Sequence, residues 1–430
     1  MVFIFGILLL FPSYYQNTWN AIPDEDFHGW RIAFDRSVIA RLVKSRQDGI
    51  FSASGLLGLG DSGEKWAFGA ESDAHQLNTY LNYGKFNEYL VYKSHPGFQG
   101  TTFSFLDLIT STSPATNLNI YHALIAFLSA SMIAFLSAMI AIEFGWLSGI
   151  FILLFSAFAE WMILPSGSLY WNLWSFYVPF VTCLVMLARS MKTKKYEEGR
   201  IHWAIFIAIL VKILYTGFEL ITTVLIMTTV PLVFHAIYNR WDLNTFANRI
   251  IKVGVVSLIA TLAGLTILSV QIALNDGNFS SAYEYISQTL DRRATGNPEN
   301  YTAEYADSMR VGVLVVIKQY LVARAFTVYL FKSSFSVVYW QIFLIFALFT
   351  FILLARHWSR LFSIPLRRDL ALVITTWFSI LAPLSWYIIF KPTSYIHTFI
   401  FPMAWQMPFT LLGFALCGYV ITDLFKRNTT

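Results

Sequence analysis

Long apolar stretches alternate with short polar loops along most of this chain. A first apolar segment at residues 2–19 is followed by six stretches between residues 120 and 274 and by three between residues 337 and 424. About 20 apolar residues are needed to cross a bilayer core, and lipid offers the backbone no hydrogen-bond partners outside a helix. The pattern predicts an all-α polytopic membrane protein with about ten transmembrane helices.

Two longer polar segments divide the chain. We assign residues 1–19 to the first transmembrane helix, 20–119 to a large outer loop, 120–274 to helices 2–7, 275–336 to a second outer loop and 337–430 to helices 8–10. Residues 311–331 are also apolar, but Lys318 and Arg324 fall in their middle, where charge is costly in lipid. We therefore expect an interfacial or re-entrant helix there, not a span.

The composition supports a membrane protein and its basic residues suggest an orientation. Only 13% of the residues are charged and 56% are hydrophobic, whereas soluble domains carry about 25% charged residues. The basic residues cluster in short segments on one side of the predicted bundle, at 189–200, 240–252, 356–368 and 426–427. Such clusters face the cytoplasm. They indicate orientation, not nucleic-acid binding, and we expect a bacterial cytoplasmic membrane with both long loops on the periplasmic or exterior side.

The first outer loop carries the most concentrated charge. Asp24, Glu25 and Asp26 come directly behind the first apolar segment, as either a solvated acidic turn or part of a site. Apolar residues then recur at helical spacing over residues 38–43, with basic residues mainly on another face, as in an amphipathic helix lying in the membrane interface. Gly49 is expected to end this helix. Asp35 immediately precedes it, where either an N-cap or a catalytic carboxylate would lie.

Two further polar clusters are predicted at the same outer surface. Glu219 falls in a tight turn between two spans with Lys212 below it, so the two residues either pair structurally or belong to a site. Lys391, Tyr395 and His397 lie on a short outer loop, where a point charge and two donors suit a phosphate. The alternative for Lys391 is snorkelling to the headgroups.

Motifs of soluble enzymes are missing from the sequence. It contains no CxxC, HExxH, Walker or dinucleotide-binding glycine motif, and Cys183 and Cys417 both lie inside apolar runs. No metal site and no cofactor is predicted, although the acidic residues leave a divalent metal open.

The chain resembles the GT-C superfamily of polytopic membrane glycosyltransferases. The resemblance rests on a first span, a large outer loop with an acidic residue ahead of a helix, and many spans joined by short loops. Asp35, the stretch SVIARLVKSRQD, and then Gly49, Ile50 and Phe51 fit the family's pattern, whereas Arg36 stands where a second acid is common. The pattern leaves the choice between Asp35 and Asp26 open.

The resemblance implies transfer of a sugar from a polyprenyl-phosphate donor to a lipid, glycan or protein acceptor at the outer face, with inversion. Asp35 or Asp26 would be the general base. The substrate-binding residues would be Asp24, Arg41, Glu219, Lys391, Tyr395 and His397, with Lys391 and His397 on the lipid phosphate, Arg41 behind them and Glu219 on the sugar. Two alternatives remain: a membrane polysaccharide polymerase or ligase that uses Arg292, Arg293 and Arg310, and a lipid or glycan transporter, which would instead show internal repeats.

Overall fold

The computed structural model describes residues 1–61, 70–330, 333–356 and 367–426. The first half contains, in order, α1 (Val2–Gln16), α2 (Asp24–Asp48), β1 (Leu57–Asp61), α3 (Ala70–Leu81), β2 (Glu88–Tyr92), α4 (Phe98–Ile109), α5 (Pro114–Phe144), α6 (Trp146–Phe158), α7 (Glu160–Ser166), α8 (Leu173–Thr193) and α9 (Glu198–Thr216). The second half contains α10 (Ile221–Asn239), α11 (Leu243–Asp276), α12 (Phe279–Leu290), α13 (Ala303–Arg310), α14 (Val313–Leu321), β3 (Arg324–Leu330), β4 (Ser333–Val338), α15 (Tyr339–Arg356), α16 (Arg367–Phe378), α17 (Leu381–Ile389), α18 (Lys391–Ile396) and α19 (Phe409–Lys426).

The described helices are those of a polytopic membrane protein. Seven of them are long and apolar enough to cross a membrane, with α16 and α17 counted together, and α6 with α7 would make an eighth. The α6–α7 pair is bent by 70°. The remaining two predicted spans correspond to the shorter apolar helices α1 and α19. The predicted total of ten therefore stays a prediction.

Small residues let the helices of the bundle approach closely. A Cβ atom on Gly6 of α1 would lie 2.7 Å from the Ala134 side chain of α5, and one on Gly149 of α6 would lie 2.7 Å from the Ser137 carbonyl. On α19, a Cβ on Gly418 would lie 2.6 Å from the Leu147 carbonyl of α6. Van der Waals contact between backbones is a main source of helix association in lipid, and it needs such small residues.

The segment between α1 and α5, which is predicted to lie outside, folds around α2. Strands β1 and β2 form an antiparallel hairpin that runs from Leu57 opposite Tyr92 to Asp61 opposite Glu88. The apolar face of α2, with Val38, Ile39, Leu42 and Val43, is buried against this hairpin, α3, α4 and the start of α5. The expectation of an amphipathic helix lying in the membrane interface is wrong here, because protein covers its apolar face.

Helix α2 begins much earlier than the apolar pattern suggested. It starts at Asp24 after Pro23, so the three acidic residues form its first turn, where carboxylates interact favourably with the helix dipole. Asp35 consequently lies in the middle of the helix and is not its N-cap. The helix ends as predicted at Gly49, whose φ of 93° is a conformation that glycine adopts at little cost.

Residues 311–331 do not form one interfacial helix. Only α14 is helical, and β3 pairs with β4 in an antiparallel hairpin, which corrects the prediction for its second half. Of the predicted basic segments, residues 357–366 and Arg427 lie outside the described residues.

Candidate functional site

Three cavities lie in sequence along α2 at the end of the bundle that is predicted to face outward. The apolar cavity, of about 890 Å³, is lined by residues 19–24 and by aromatic side chains of α6, β3 and α19. The acidic cavity, of about 880 Å³, contains Glu25, Asp26 and Glu160. The basic cavity, of about 670 Å³, contains Arg36, Arg292 and Arg293.

The three cavities follow one another through shared or adjacent walls. Ala33, Phe34 and Phe399 line both the acidic and the basic cavity. The apolar cavity ends at Asp24, and the acidic cavity begins at the next residue, Glu25. The apolar and acidic cavities are therefore neighbours at the first turn of α2.

A partly buried ion pair lies at the wall of the basic cavity. The Arg293 guanidinium donates to the Glu219 carboxylate at 2.9 Å, and their side chains are 19% and 12% exposed. Burial alone would lower the pKa of Arg293, but the Glu219 carboxylate and the hydroxyls of Tyr92 and Tyr170 raise it above its usual value. Arg293 is therefore a fixed cation at this wall.

Lys212 supports the turn that carries Glu219. Its ammonium group donates to the main-chain carbonyls of Gly217 at 2.8 Å and of Glu219 at 2.5 Å. Lys212 therefore contacts the main chain of Glu219, and the predicted pairing with the Glu219 carboxylate is not formed. That carboxylate pairs with Arg293 instead. Gly217 has a φ of 58°, and a Cβ there would lie 2.8 Å from the ring of the buried His95. Burial lowers the pKa of His95 to about 3, so this neighbour of the turn is neutral.

The other two arginines of the basic cavity differ in their partners. Arg36 donates to Asp73 of α3 at 2.6 Å. Arg292 forms no ion pair with any residue in the described ranges, and its guanidinium carbon lies 5.3 Å from the Tyr305 ring centre. Arg292 is thus the cation of this cavity that has no competing carboxylate.

The predicted phosphate-binding loop at 391–397 forms the short helix α18, and its three predicted ligands have different surroundings. His397 lines the basic cavity, and its Nδ1 lies 2.9 Å from the Thr393 carbonyl. Lys391 instead donates to the Met309 carbonyl at 2.7 Å and ties α18 to the end of α13. Tyr395 is half-buried against the main core. Only His397 of these three lines the basic cavity.

The acidic cavity combines exposed and paired carboxylates. Glu25 and Asp26 are exposed on the first turn of α2. Glu160 lies directly after the bend between α6 and α7, and it accepts two hydrogen bonds from Arg324, at 2.6 and 2.8 Å. Bidentate pairs of this kind fix both side chains. Of the two predicted catalytic residues, Asp26 is the one that lines a cavity, and it forms no ion pair with any described residue.

Asp35 is buried beside the basic cavity but is not one of its lining residues. One carboxylate oxygen accepts hydrogen bonds from the Ser168 hydroxyl at 2.6 Å and from the Tyr170 backbone N–H at 3.1 Å. The other lies 3.7 Å from Nδ1 of His122, which contacts the Gly167 carbonyl. Burial raises the pKa of Asp35 to about 6 in spite of these hydrogen bonds. Its visible role is to hold the 167–171 loop, whose Tyr170 and Trp171 line the cavity.

Arg41 and Asp24 also have local structural partners. The Arg41 guanidinium is fully buried and donates to the main-chain carbonyls of Ile50 and Ser52, which holds the chain that follows α2. Asp24 lies at the edge of the apolar cavity, 3.5 Å from the Asn17 side-chain amide. Both are predicted substrate-binding residues, and neither lines the basic cavity.

Within the described ranges, no group of three or more His, Cys, Asp or Glu side chains is placed to hold a metal ion.

Sequence reasoning missed two of the charged partners, Glu160 and Arg293. Glu160 falls inside a predicted apolar span, and an ionisable residue in such a position is itself a signal of a site. Arg293 was assigned only to an alternative function, since its partner Glu219 is 74 residues away along the chain.

Comparison of the chain with protein-family models, with curated proteins and with solved structures gives no match.

Proposed function

We propose that this chain is a membrane glycosyltransferase that transfers a sugar from a polyprenyl-phosphate donor to an acceptor at the outer surface. The observation that supports this most is the pair of cavities of opposite charge that share Ala33, Phe34 and Phe399 as a common wall. Sugar transfer from a lipid phosphate needs a base on one side of the anomeric carbon and positive charge on the other. The two cavities offer these groups next to each other.

The base in this proposal is Asp26. Its carboxylate is exposed in the acidic cavity and takes the proton of the acceptor hydroxyl as that oxygen attacks the sugar. Asp35 is the weaker candidate, since both of the hydrogen bonds to one of its oxygens serve the 167–171 loop. We assign it a positioning role for Tyr170 and Trp171.

The phosphate of the donor is assigned to the basic cavity. Arg292 and Arg293, together with His397 of the same cavity, stabilise the negative charge that grows on the departing phosphate. Glu219 keeps Arg293 in place. The apolar cavity at the other end of the row suits the hydrocarbon part of a lipid substrate.

The proposal is tested with purified protein in liposomes and radiolabelled sugars on polyprenyl phosphate. The Asp26→Asn variant should lose activity about 10²–10⁴-fold, the usual contribution of a general base. Asp48→Asn is the matched control, because this exposed carboxylate lies at the far end of α2 and pairs with Lys44. A wild-type protein that transfers no sugar from any lipid monophosphate donor would refute the proposal.

A polysaccharide polymerase or ligase is the second candidate. It is favoured by the two adjacent arginines, Arg292 and Arg293, that the second outer segment contributes to the basic cavity. Transfer from lipid diphosphate-linked oligosaccharides, with none from monophosphate donors, would support this candidate instead.

A further inference from the structure

A small groove in the second outer segment adjoins the basic cavity. It has a volume of about 290 Å³ and lies between α12 and the start of α13. Three tyrosines, Tyr285, Tyr301 and Tyr305, line it. Arg292 and Tyr305 line both this tyrosine groove and the basic cavity, so the two sites are adjacent.

Each of the three aromatic rings has a polar neighbour, through its hydroxyl in Tyr285 and Tyr301 and over its face in Tyr305. The Tyr285 hydroxyl forms a hydrogen bond of 2.6 Å with Ser94, and the Tyr301 hydroxyl donates to Asp291 at 2.8 Å. The Arg292 guanidinium lies 5.3 Å from the Tyr305 ring centre. Rings that are fixed before binding lose little conformational entropy when a ligand packs against them.

The chemistry of the groove suits a neutral ligand with many hydroxyls. Side-chain amides and hydroxyls of Gln288, Thr289, Asn300 and Thr302 line it between the tyrosines. Amides and hydroxyls can both donate and accept, as sugar hydroxyls require. Arg292 is its only cationic lining residue among those described, and it also lines the basic cavity to which the phosphate is assigned, so the groove adds no further cation for a second phosphate.

We propose that the tyrosine groove binds a carbohydrate. The ligand is the glycan portion of the substrate whose phosphate lies in the basic cavity. Identifying the ligand as the substrate's glycan rests on the proposed function, whereas carbohydrate binding by the groove does not.

The test is direct binding of soluble oligosaccharides to the full-length protein in nanodiscs. Saturation-transfer NMR is run with chitotetraose, cellotetraose and maltotetraose as probes. Tyr301→Ala and Tyr305→Ala should each weaken binding at least about fivefold, because an aromatic packing surface is lost. Tyr301→Phe keeps the ring and loses only the hydroxyl contact with Asp291, so it should weaken binding less than Tyr301→Ala does. Tyr283→Ala is the matched control, since Tyr283 lies on α12, is 78% exposed and is outside the groove.

The outcomes separate this inference from the proposed function. Binding that is lost in the two alanine variants and kept in Tyr283→Ala establishes the groove. A wild type that binds none of the three probes, or variants that bind equally well, overturns it. Sugar transfer from a lipid donor without groove binding leaves the proposed function standing alone, while groove binding without transfer leaves the carbohydrate site and removes the transferase.

Discussion

The Asp35→Asn substitution should stabilise the protein, and by an amount that depends on pH. An asparagine can still accept the hydrogen bonds from the Ser168 hydroxyl and the Tyr170 N–H through its side-chain oxygen. Its amide nitrogen replaces an oxygen that is buried without a hydrogen-bond partner among the described atoms. The substitution therefore removes the cost of ionising a buried carboxyl and retains the contacts of the loop.

The magnitude follows from the pKa of Asp35, which burial raises from 3.8 to about 6. The folded protein holds this proton more tightly than the unfolded chain does, so protonation stabilises the fold below about pH 4. This contribution is lost as the pH rises through about 6. At about 1.4 kcal/mol per tenfold change in proton affinity, the wild type carries a penalty of about 3 kcal/mol at pH 8 that the variant lacks.

The measurement is the free energy of unfolding from denaturant titration in mild detergent, followed by tryptophan fluorescence at pH 4, 6 and 8. The gain of Asp35→Asn over the wild type should be near zero at pH 4 and largest at pH 8. Asp48→Asn, which alters an exposed i,i+4 pair with Lys44, should change stability by only a few tenths of a kcal/mol at pH 6 and 8. An Asp35→Asn effect that is the same at every pH, or a loss of stability at pH 8, would refute the reasoning.

Two further substitutions test the packing of the bundle. Arg324→Leu leaves the Glu160 carboxylate without its bidentate partner and should lower the free energy of unfolding by about 1–3 kcal/mol. Adding Glu160→Leu should restore most of that loss, because no unpaired carboxylate then remains. Equal losses in the single and double variants would contradict this. Gly418→Val should lower the midpoint of thermal unfolding, because its Cβ would lie 2.6 Å from the Leu147 carbonyl. Gly199→Ala, whose Cβ would have nothing within 4 Å, should leave the midpoint unchanged. Similar midpoints for the two variants would show that the α6–α19 contact can adjust.

The membrane-spanning part of the fold was the more predictable part. Lipid imposes one requirement on every span, namely a helix of mostly apolar residues, and that requirement is legible in a short window of sequence. The start of α2 was missed because residues 24–36 have little apolar periodicity. Pro23 followed by three acidic residues is nevertheless a signal for a helix start, since those carboxylates suit the first turn.

The site could be predicted only in part. Asp26, Glu219 and His397 do line cavities at one end of the bundle, in keeping with the expectation that the outer loops converge. The partners of the charged residues could not be predicted, because they are chosen by folding and not by spacing. Glu160 and Arg324 are 164 positions apart, and no local pattern links them. Lys391 was predicted to bind a phosphate, but it donates to a backbone carbonyl that only the fold brings near.

The basic cavity can form only late during synthesis, because its lining residues come from distant parts of the chain. Its lining residues run from Ala33 to Phe401, so the first contributor leaves the ribosome long before the last. Until residues 219–401 have been synthesised, the cavity beside Arg36 lacks its later lining residues, among them Glu219, Arg292 and Arg293. A chain that stops before residue 391 would still insert most of its helices but would lack the His397 side of the cavity. Any activity that needs the complete cavity therefore requires the chain at least through Phe401.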